Sequence, residues 1–255
     1  MHNRTQGGNE MSLLSVESLT VGYGNTVILS DVTFSIERGE RFVVLGTSGC
    51  GKSTLLKAIV GLNPPSTGTI FFDGEEIRHP LPEEHPFYRR IGVLYQSAAL
   101  LNSMTLEENV MLPIKMHFPR ISNADARDVA GEKLAMVGLY EHRMKIPQEL
   151  SGGMKKRGAL ARALVLDPEI IFFDEPQAGL DPVTTQELDL MFIRLNEQTG
   201  VTFFMVTHEL LSIRRSAQRV LMLADGGVAF LGSLRDALKA DEFRVRRFFD
   251  VGVST

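Results

Sequence analysis

The sequence predicts an α/β fold: a parallel sheet core with helices, an antiparallel β subdomain and an inserted helical subdomain. Three observations predict it. Short apolar runs such as Phe42-Val43-Val44-Leu45 and Ile170-Ile171-Phe172-Phe173 alternate with helix-forming stretches. Such runs suit strands covered on both faces, and their alternation with helices implies a parallel sheet. Leu14–Tyr23 and Thr26–Glu37 read as two strands around a Gly24-Asn25 turn. The stretch from about 98 to 165 has few β-branched runs and reads instead as helices over 106–117, 123–137 and 152–166.

The remaining elements follow in order. A helix over 53–61 closes at Gly61, and Thr69–Phe72 is a strand leading to an Asp73-Gly74 turn. Gly92-Val93-Leu94-Tyr95 is a further strand. A helix over 183–198 precedes the strand Val201–Val206. Val220–Ala224 and Val228–Leu231 pair as a hairpin across Asp225-Gly226-Gly227. The expected divisions are a flexible tail over 1–12, one domain over 13–239 and a C-terminal tail over 240–255.

Composition narrows the function. Hydrophobic residues make up 44% and charged residues 23% of 255 residues, which excludes wholesale disorder. Lys and Arg number 27 against 31 Asp and Glu, a net charge of −4. Nucleic-acid binders usually carry a basic excess, so no nucleic-acid partner is expected. A single cysteine makes neither an internal disulfide nor a multi-cysteine zinc site. No charge-free run is long and apolar enough for a membrane span, and the polar first ten residues are not a secretory signal.

The strongest motif is Gly46-Thr47-Ser48-Gly49-Cys50-Gly51-Lys52-Ser53, which fits G-x-x-x-x-G-K-[ST] between a strand and a helix. The glycines let successive backbone N–H groups point at phosphate oxygens, and the helix N-terminus adds positive potential. Lys52 is expected to reach the β- and γ-phosphates of a nucleotide, Ser53 to ligate Mg2+, and Thr54 to complete the loop. Cys50 lies inside the loop. It is either a small space-filling residue or a thiol whose modification blocks nucleotide binding. About 120 residues on, an apolar strand ends in Asp174-Glu175. Asp174 is expected to hold Mg2+ through its water shell and Glu175 to polarise the attacking water.

Between these motifs stands Leu150-Ser151-Gly152-Gly153-Met154. With it, residues from about 14 to 235 resemble the ATP-binding subunits of ABC transporters, a branch of the P-loop NTPases. The resemblance implies ATP hydrolysis and a further set of site residues. Tyr23 matches the aromatic that stacks on adenine, and Gln96 the glutamine that senses Mg2+ and water. Ser151, Gly152 and Gly153 match the signature that binds the γ-phosphate of an ATP held by the opposite subunit. Asp181 matches the loop that crosses the dimer interface, and His208 the histidine that contacts the γ-phosphate. Two positions depart from the pattern: Met154 where glutamine is common, and Gln177 where threonine or serine often follows Glu-Pro.

One phosphate loop and one signature per chain imply a head-to-tail homodimer. The lack of a span implies a separate membrane permease dimer and a place on the cytoplasmic face of a bacterial inner membrane. Finer details resemble the Mla/Mce-type subfamily, which maintains lipid asymmetry. They are Gln96-Ser97-Ala98-Ala99-Leu100-Leu101, Glu108-Asn109-Val110 with Pro113, Leu150-Ser151-Gly152-Gly153-Met154-Lys155-Lys156-Arg157 and the run Phe243–Asp250. That subfamily implies phospholipid or another hydrophobic substrate, with an Mce-domain protein and a STAS-domain protein as further partners. Other importers or exporters, for amino acids or lipoproteins, remain the alternative, with non-transport ATPases behind them. Phe243, Val245, Phe248 and Phe249 put apolar groups on one short face. That face either packs on its own domain or docks on the neighbouring subunit.

Overall fold

The computed structural model describes residues 12–24 and 26–250. Residues 1–11 of the tail expected over 1–12, the turn residue Asn25 and residues 251–255 lie outside the described residues.

Two sheets form. The antiparallel one orders as β2-β1-β4-β5, built from β1 (Leu14–Tyr23), β2 (Thr26–Ile36), β4 (Thr67–Phe72) and β5 (Glu75–Glu76). The other uses β3 (Arg41–Leu45), β6 (Ile91–Leu94), β7 (Ile170–Asp174), β8 (Thr202–Val206), β9 (Arg219–Ala224) and β10 (Gly227–Ser233). Its order is β10-β9-β3-β8-β7-β6, parallel except for the β9–β10 hairpin.

The parallel strands are buried on both faces, as their unbroken apolar runs predict. Side chains alternate across a strand. Phe172 and Phe204 therefore enter one core, stacking with Phe34 and Phe42 at ring separations of 5.3 to 6.2 Å. Phe173 and Phe203, their immediate neighbours, enter the opposite core and meet Phe192 at 4.7 to 6.3 Å. The first core joins the antiparallel sheet and helix α1 (Lys52–Ile59) to the central sheet.

The second core holds the inserted helices α3 (Leu106–His117), α4 (Asn123–Met136) and α5 (Gly152–Leu164), and then α6 (Pro182–Thr199) and α7 (Leu210–Ser216). Thr105 and Glu108 close a reciprocal cap at the start of α3. Asn109, buried in α3, donates to the carbonyls of Leu101 and Thr105 at 3.0 and 2.9 Å and pins the preceding loop. The short α2 (Phe87–Arg90) is not among the elements the sequence predicts. Two further helices, α8 (Leu234–Ala237) and α9 (Phe243–Asp250), end the described chain.

Helix α9 packs on its own domain through buried Val245 and Phe249, and Arg214 donates to the Phe249 carbonyl at 3.3 Å. These contacts seat α9 within the chain. Phe243 alone of the four apolar residues stays open, at 72% exposure.

Where the two sheets meet, Arg38, Asp73, Arg90 and Glu169 form a closed ring of ion pairs. They come from the ends of β2, β4 and α2 and the residue before β7. Hydrogen bonds from Arg90 and then Arg38 hold the Glu169 carboxyl below the usual glutamate range. A carboxylate held down in the fold adds stability above its unfolded pKa and loses it as pH falls. Glu169→Gln is therefore expected to lower the melting temperature at pH 7. The gap to the parent should narrow below about pH 4, where a free glutamate protonates, and close as the held-down carboxyl protonates in turn. Thermal melts across that range measure it.

Candidate functional site

Strands β3, β7 and β8 end on one edge, and the site is built on those ends. Residues 46–51 turn from β3 into α1 with positive φ at Gly46, Gly49 and Gly51. At Gly46, φ is +150° and a Cβ would stand 2.5 Å from the Leu223 carbonyl oxygen. At Gly51, φ is +103° and a Cβ would meet Leu29 Cγ at 2.7 Å. Neither position accepts a side chain, which explains the glycines physically.

The loop curls over a buried cation. Lys52 is only 6% exposed, and its Nζ donates to the carbonyls of Gly46 at 3.0 Å and Thr47 at 3.1 Å. One residue on, Ser53 Oγ donates to Asp174 Oδ1 at 2.8 Å, joining the start of α1 to the end of β7. Two hard oxygen ligands suit an ion that keeps most of its water and shares substrate phosphates, as Mg2+ does. Among the described residues no cluster of three or more His, Cys, Asp or Glu could hold a metal by itself.

Glu175 follows Asp174 with φ of +47°, a left-handed backbone that turns its carboxylate off the strand line. Its N–H donates to the Val206 carbonyl of β8 at 2.9 Å. Its Oε1 lies 2.9 Å from His208 Nδ1, while the buried Oε2 has no partner within the protein. The contact orients the His208 ring and the partly buried Glu175 carboxylate against each other. An open cleft of about 350 Å3 brings Ser48, Gly49, Gly51, Lys52, Ser53 and Thr54 together with Gln96, Glu175 and His208.

Five of the residues singled out in the sequence lie apart from that cleft and from the loop that builds it. Tyr23 lies at the end of β1, 52% exposed, and Ile28 of β2 lines the cleft instead. Ser151 caps α5, accepting from the Met154 N–H at 3.2 Å. Gly152 and Gly153 pack against Leu180 and Thr184, where a Cβ would stand 3.2 and 2.6 Å away. Asp181 caps α6, accepting from the N–H groups of Val183 and Thr184 at 3.0 Å each. Its bonds from Thr184 hold its carboxyl below the usual aspartate range.

The sequence reading gave no role beside the cleft to two residues, one of them in a motif quoted above. Lys156 of α5 is buried and donates to the Gln96 carbonyl. Burial pushes its ammonium below the ordinary lysine pKa, against the pull of Asp174 and Glu175. Arg162, further along the same helix, donates to the carbonyls of Ala99 at 2.7 Å and Ala98 at 3.0 Å. Those two alanines have positive φ, 49° and 63°. Helix α5 therefore holds the first part of the loop that carries Gln96, and Asn109 of α3 holds its end. The only sequence signal was a set of basic residues on a helix whose other positions face a core.

With this geometry in place, the comparisons define the class. The family described as ABC transporter matches residues 29–178, and the chain belongs to it as an ABC ATPase cassette. The chain is 41% identical over 238 residues to the "Probable ribonucleotide transport ATP-binding protein mkl" of Mycobacterium tuberculosis. That match covers 93% of this chain and 66% of the relative, so the chain spans just under two thirds of that protein's length. It is 37% identical over 238 residues to the "Intermembrane phospholipid transport system ATP-binding protein MlaF" of Haemophilus influenzae, covering 93% of this chain and 90% of that one. It is also 37% identical over 211 residues to the "Nitrate import ATP-binding protein NrtD" of Synechococcus elongatus, covering 83% and 74%. Among solved structures, the dimeric ATP-binding cassette MJ0796, in a post-hydrolysis state bound to ADP and Pi, superposes with a TM-score of 0.77. That likeness has 32% identity and covers 87% of this chain and 99% of the other.

Cys50 offers a probe of the loop. Its Sγ lies 2.6 Å from where a Cβ on Gly46 would be, so it packs against the backbone. Burial pushes its thiol up, against the charge of Lys52. Only the thiolate attacks. Maleimide labelling is thus expected to be slower than that of a free cysteine at pH 7 and to speed up as pH rises past the ordinary thiol range of about 8.5. Added ATP is expected to protect Cys50, and mass spectrometry of the labelled chain reads both effects.

Proposed function

We propose that the protein binds Mg2+ and ATP at this cleft, hydrolyses the ATP and powers a transporter. The supporting observation is the convergence of the Lys52 loop, the Ser53–Asp174 pair and the Glu175–His208 pair on one cleft. In this reading the N–H groups of the loop and Lys52 bind phosphate oxygens, with Lys52 exchanging carbonyl partners for phosphate. Ser53 and Asp174 would hold Mg2+, which supplies charge neutralisation at the phosphates when bound. Glu175 uses its free buried oxygen to orient water and take its proton. His208 holds Glu175 in place and faces the same cleft, as does Gln96.

The half of the site that is missing from this cleft is the signature. Ser151, Gly152 and Gly153 present a helix N-terminus away from the chain's own phosphate loop. A second copy arranged head-to-tail would bring that terminus to the first copy's ATP, with Asp181 beside the seam and Tyr23 over the base. This makes ATP the adhesive between copies and hydrolysis their release. Glu175→Gln keeps the hydrogen-bonding shape but not the base. It is expected to retain ATP binding and to lower turnover by more than about 100-fold. The stalled ATP state should sediment as a dimer. Undiminished hydrolysis in Glu175→Gln would require another base.

No helix among the described residues is long and apolar enough to cross a membrane. Coupling to transport therefore calls for a permease dimer, which would place this subunit at the cytoplasmic face of a bacterial inner membrane. The favoured cargo is phospholipid or another hydrophobic molecule. Support comes from the identity with MlaF across 93% of this chain and 90% of that one, together with the Mla/Mce-like motifs. An Mce-domain protein and a STAS-domain protein complete that assembly. The likeness to nitrate import and ribonucleotide transport proteins carries the second reading, a different cargo on the same engine. Isolation of the complex from membranes is expected to bring down a permease, an Mce-domain protein and bound phospholipid. A permease alone, without lipid, would favour the second reading.

A further inference from the structure

Behind the cleft, and not lining it, Asp189 of α6 has a side chain with no exposed surface. A carboxylate in that position is costly to bury unless donors surround it. Three do. Gln177 Nε2 donates to Oδ1 at 2.9 Å, Ser212 Oγ donates to Oδ2 at 2.7 Å, and Arg215 Nη1 pairs with Oδ2. The origin of the donors is informative. Gln177 lies two residues after Glu175, and Ser212 and Arg215 lie four and seven residues after His208.

Both attached segments are weak on their own. The chain from 175 to 180 is two successive turns, with Ala178 N donating to Glu175 O and Leu180 N to Gln177 O, each at 3.1 Å. The Gln177 amide oxygen is buried without a partner, so its side chain is anchored through Nε2, chiefly at Asp189. Helix α7 has seven residues, too few to be stable without tertiary support. The left-handed backbone at Glu175 likewise persists only where its surroundings over-determine it.

We propose that Asp189 is a positioning residue for ATP hydrolysis: it ties the turn carrying Glu175 to the helix following His208, and so holds those two side chains together over the cleft. The proposal rests on the reading that Glu175 and His208 serve hydrolysis. It also accounts for Gln177, a departure from the family pattern, because the Gln177 amide reaches a carboxylate on α6. A carboxylate with donors on both sides transmits a displacement of either segment to the other, because it has no free lone pair facing water to relax into.

The test uses the full-length chain and compares Gln177→Ala, Ser212→Ala, their double variant, Ser212→Thr and Asp189→Asn. Turnover, KM for ATP, nucleotide affinity and melting temperature are measured for each. Gln177→Ala and Ser212→Ala are each expected to lower kcat about tenfold at unchanged KM and nucleotide affinity. The double variant is expected to be no slower than the slower single one, because both changes act through Asp189. Ser212→Thr, which keeps the hydroxyl, is expected to recover kcat. Normal kcat in folded Gln177→Ala and Ser212→Ala overturns the proposal, as do multiplicative losses in the double variant. Asp189→Asn is a further arm, and the other variants decide the matter where it does not fold. An inert Glu175→Gln beside normal Gln177→Ala and Ser212→Ala overturns Asp189's role alone. An active Glu175→Gln overturns the reading of Glu175 itself.

Discussion

The side-by-side ending of parallel strands is the constraint from which the site follows. In register, Val44 of β3 pairs with Val206 of β8, and Asp174 of β7 pairs with the same Val206. Three chain exits are therefore fixed within two strand spacings, about 10 Å. The phosphate loop, Glu175 and the approach to His208 leave from those exits. The register is itself held by burial on both faces, because a one-residue slip would exchange Phe172 with Phe173 and Phe203 with Phe204 between two differently shaped cores. Polar chemistry is thus assembled by apolar packing a few residues away.

Around that edge the structure uses buried polar groups sparingly. Lys52, Lys156, Asp189 and Asn109 are all buried, and each is anchored on groups elsewhere in the chain. Lys156 and Arg162 make α5 a carrier of the Gln96 loop as well as of the signature at its N-terminus. Any tilt of the inserted helical subdomain would therefore move both together. This gives the insertion a mechanical relation to the cleft that its position in the sequence does not suggest.

The signature and the cleft are separate features of one chain, each half of an ATP site in the proposed dimer. The signature glycines lie against Leu180 and Thr184, and the latter also donates to Asp181. The signature helix and the start of α6 thus form one surface. A second chain would meet that surface as a unit, rather than as two motifs that happen to be near in space.

Much of this was legible in the sequence. The phosphate loop, Asp174-Glu175, the signature and His208 carry their chemistry in residue type and spacing, and the buried strands announce themselves as unbroken apolar runs. What local pattern could not supply were pairings across long stretches of chain. Arg38 and Glu169 are 131 residues apart, and Gln96 and Lys156 are 60 apart, with no periodicity to connect them. Asp189 reads along α6 as one more helical charge, because exposure is a property of the packed fold. Likewise, an apolar face on α9 states that something will cover it, and only the tertiary structure decides what does. By itself, then, the sequence determined the family, the sheet core and the residues that gather at the cleft. The tertiary structure alone decided which buried charges hold those groups in place, because burying a charge is tolerated only where distant donors have already been brought to it.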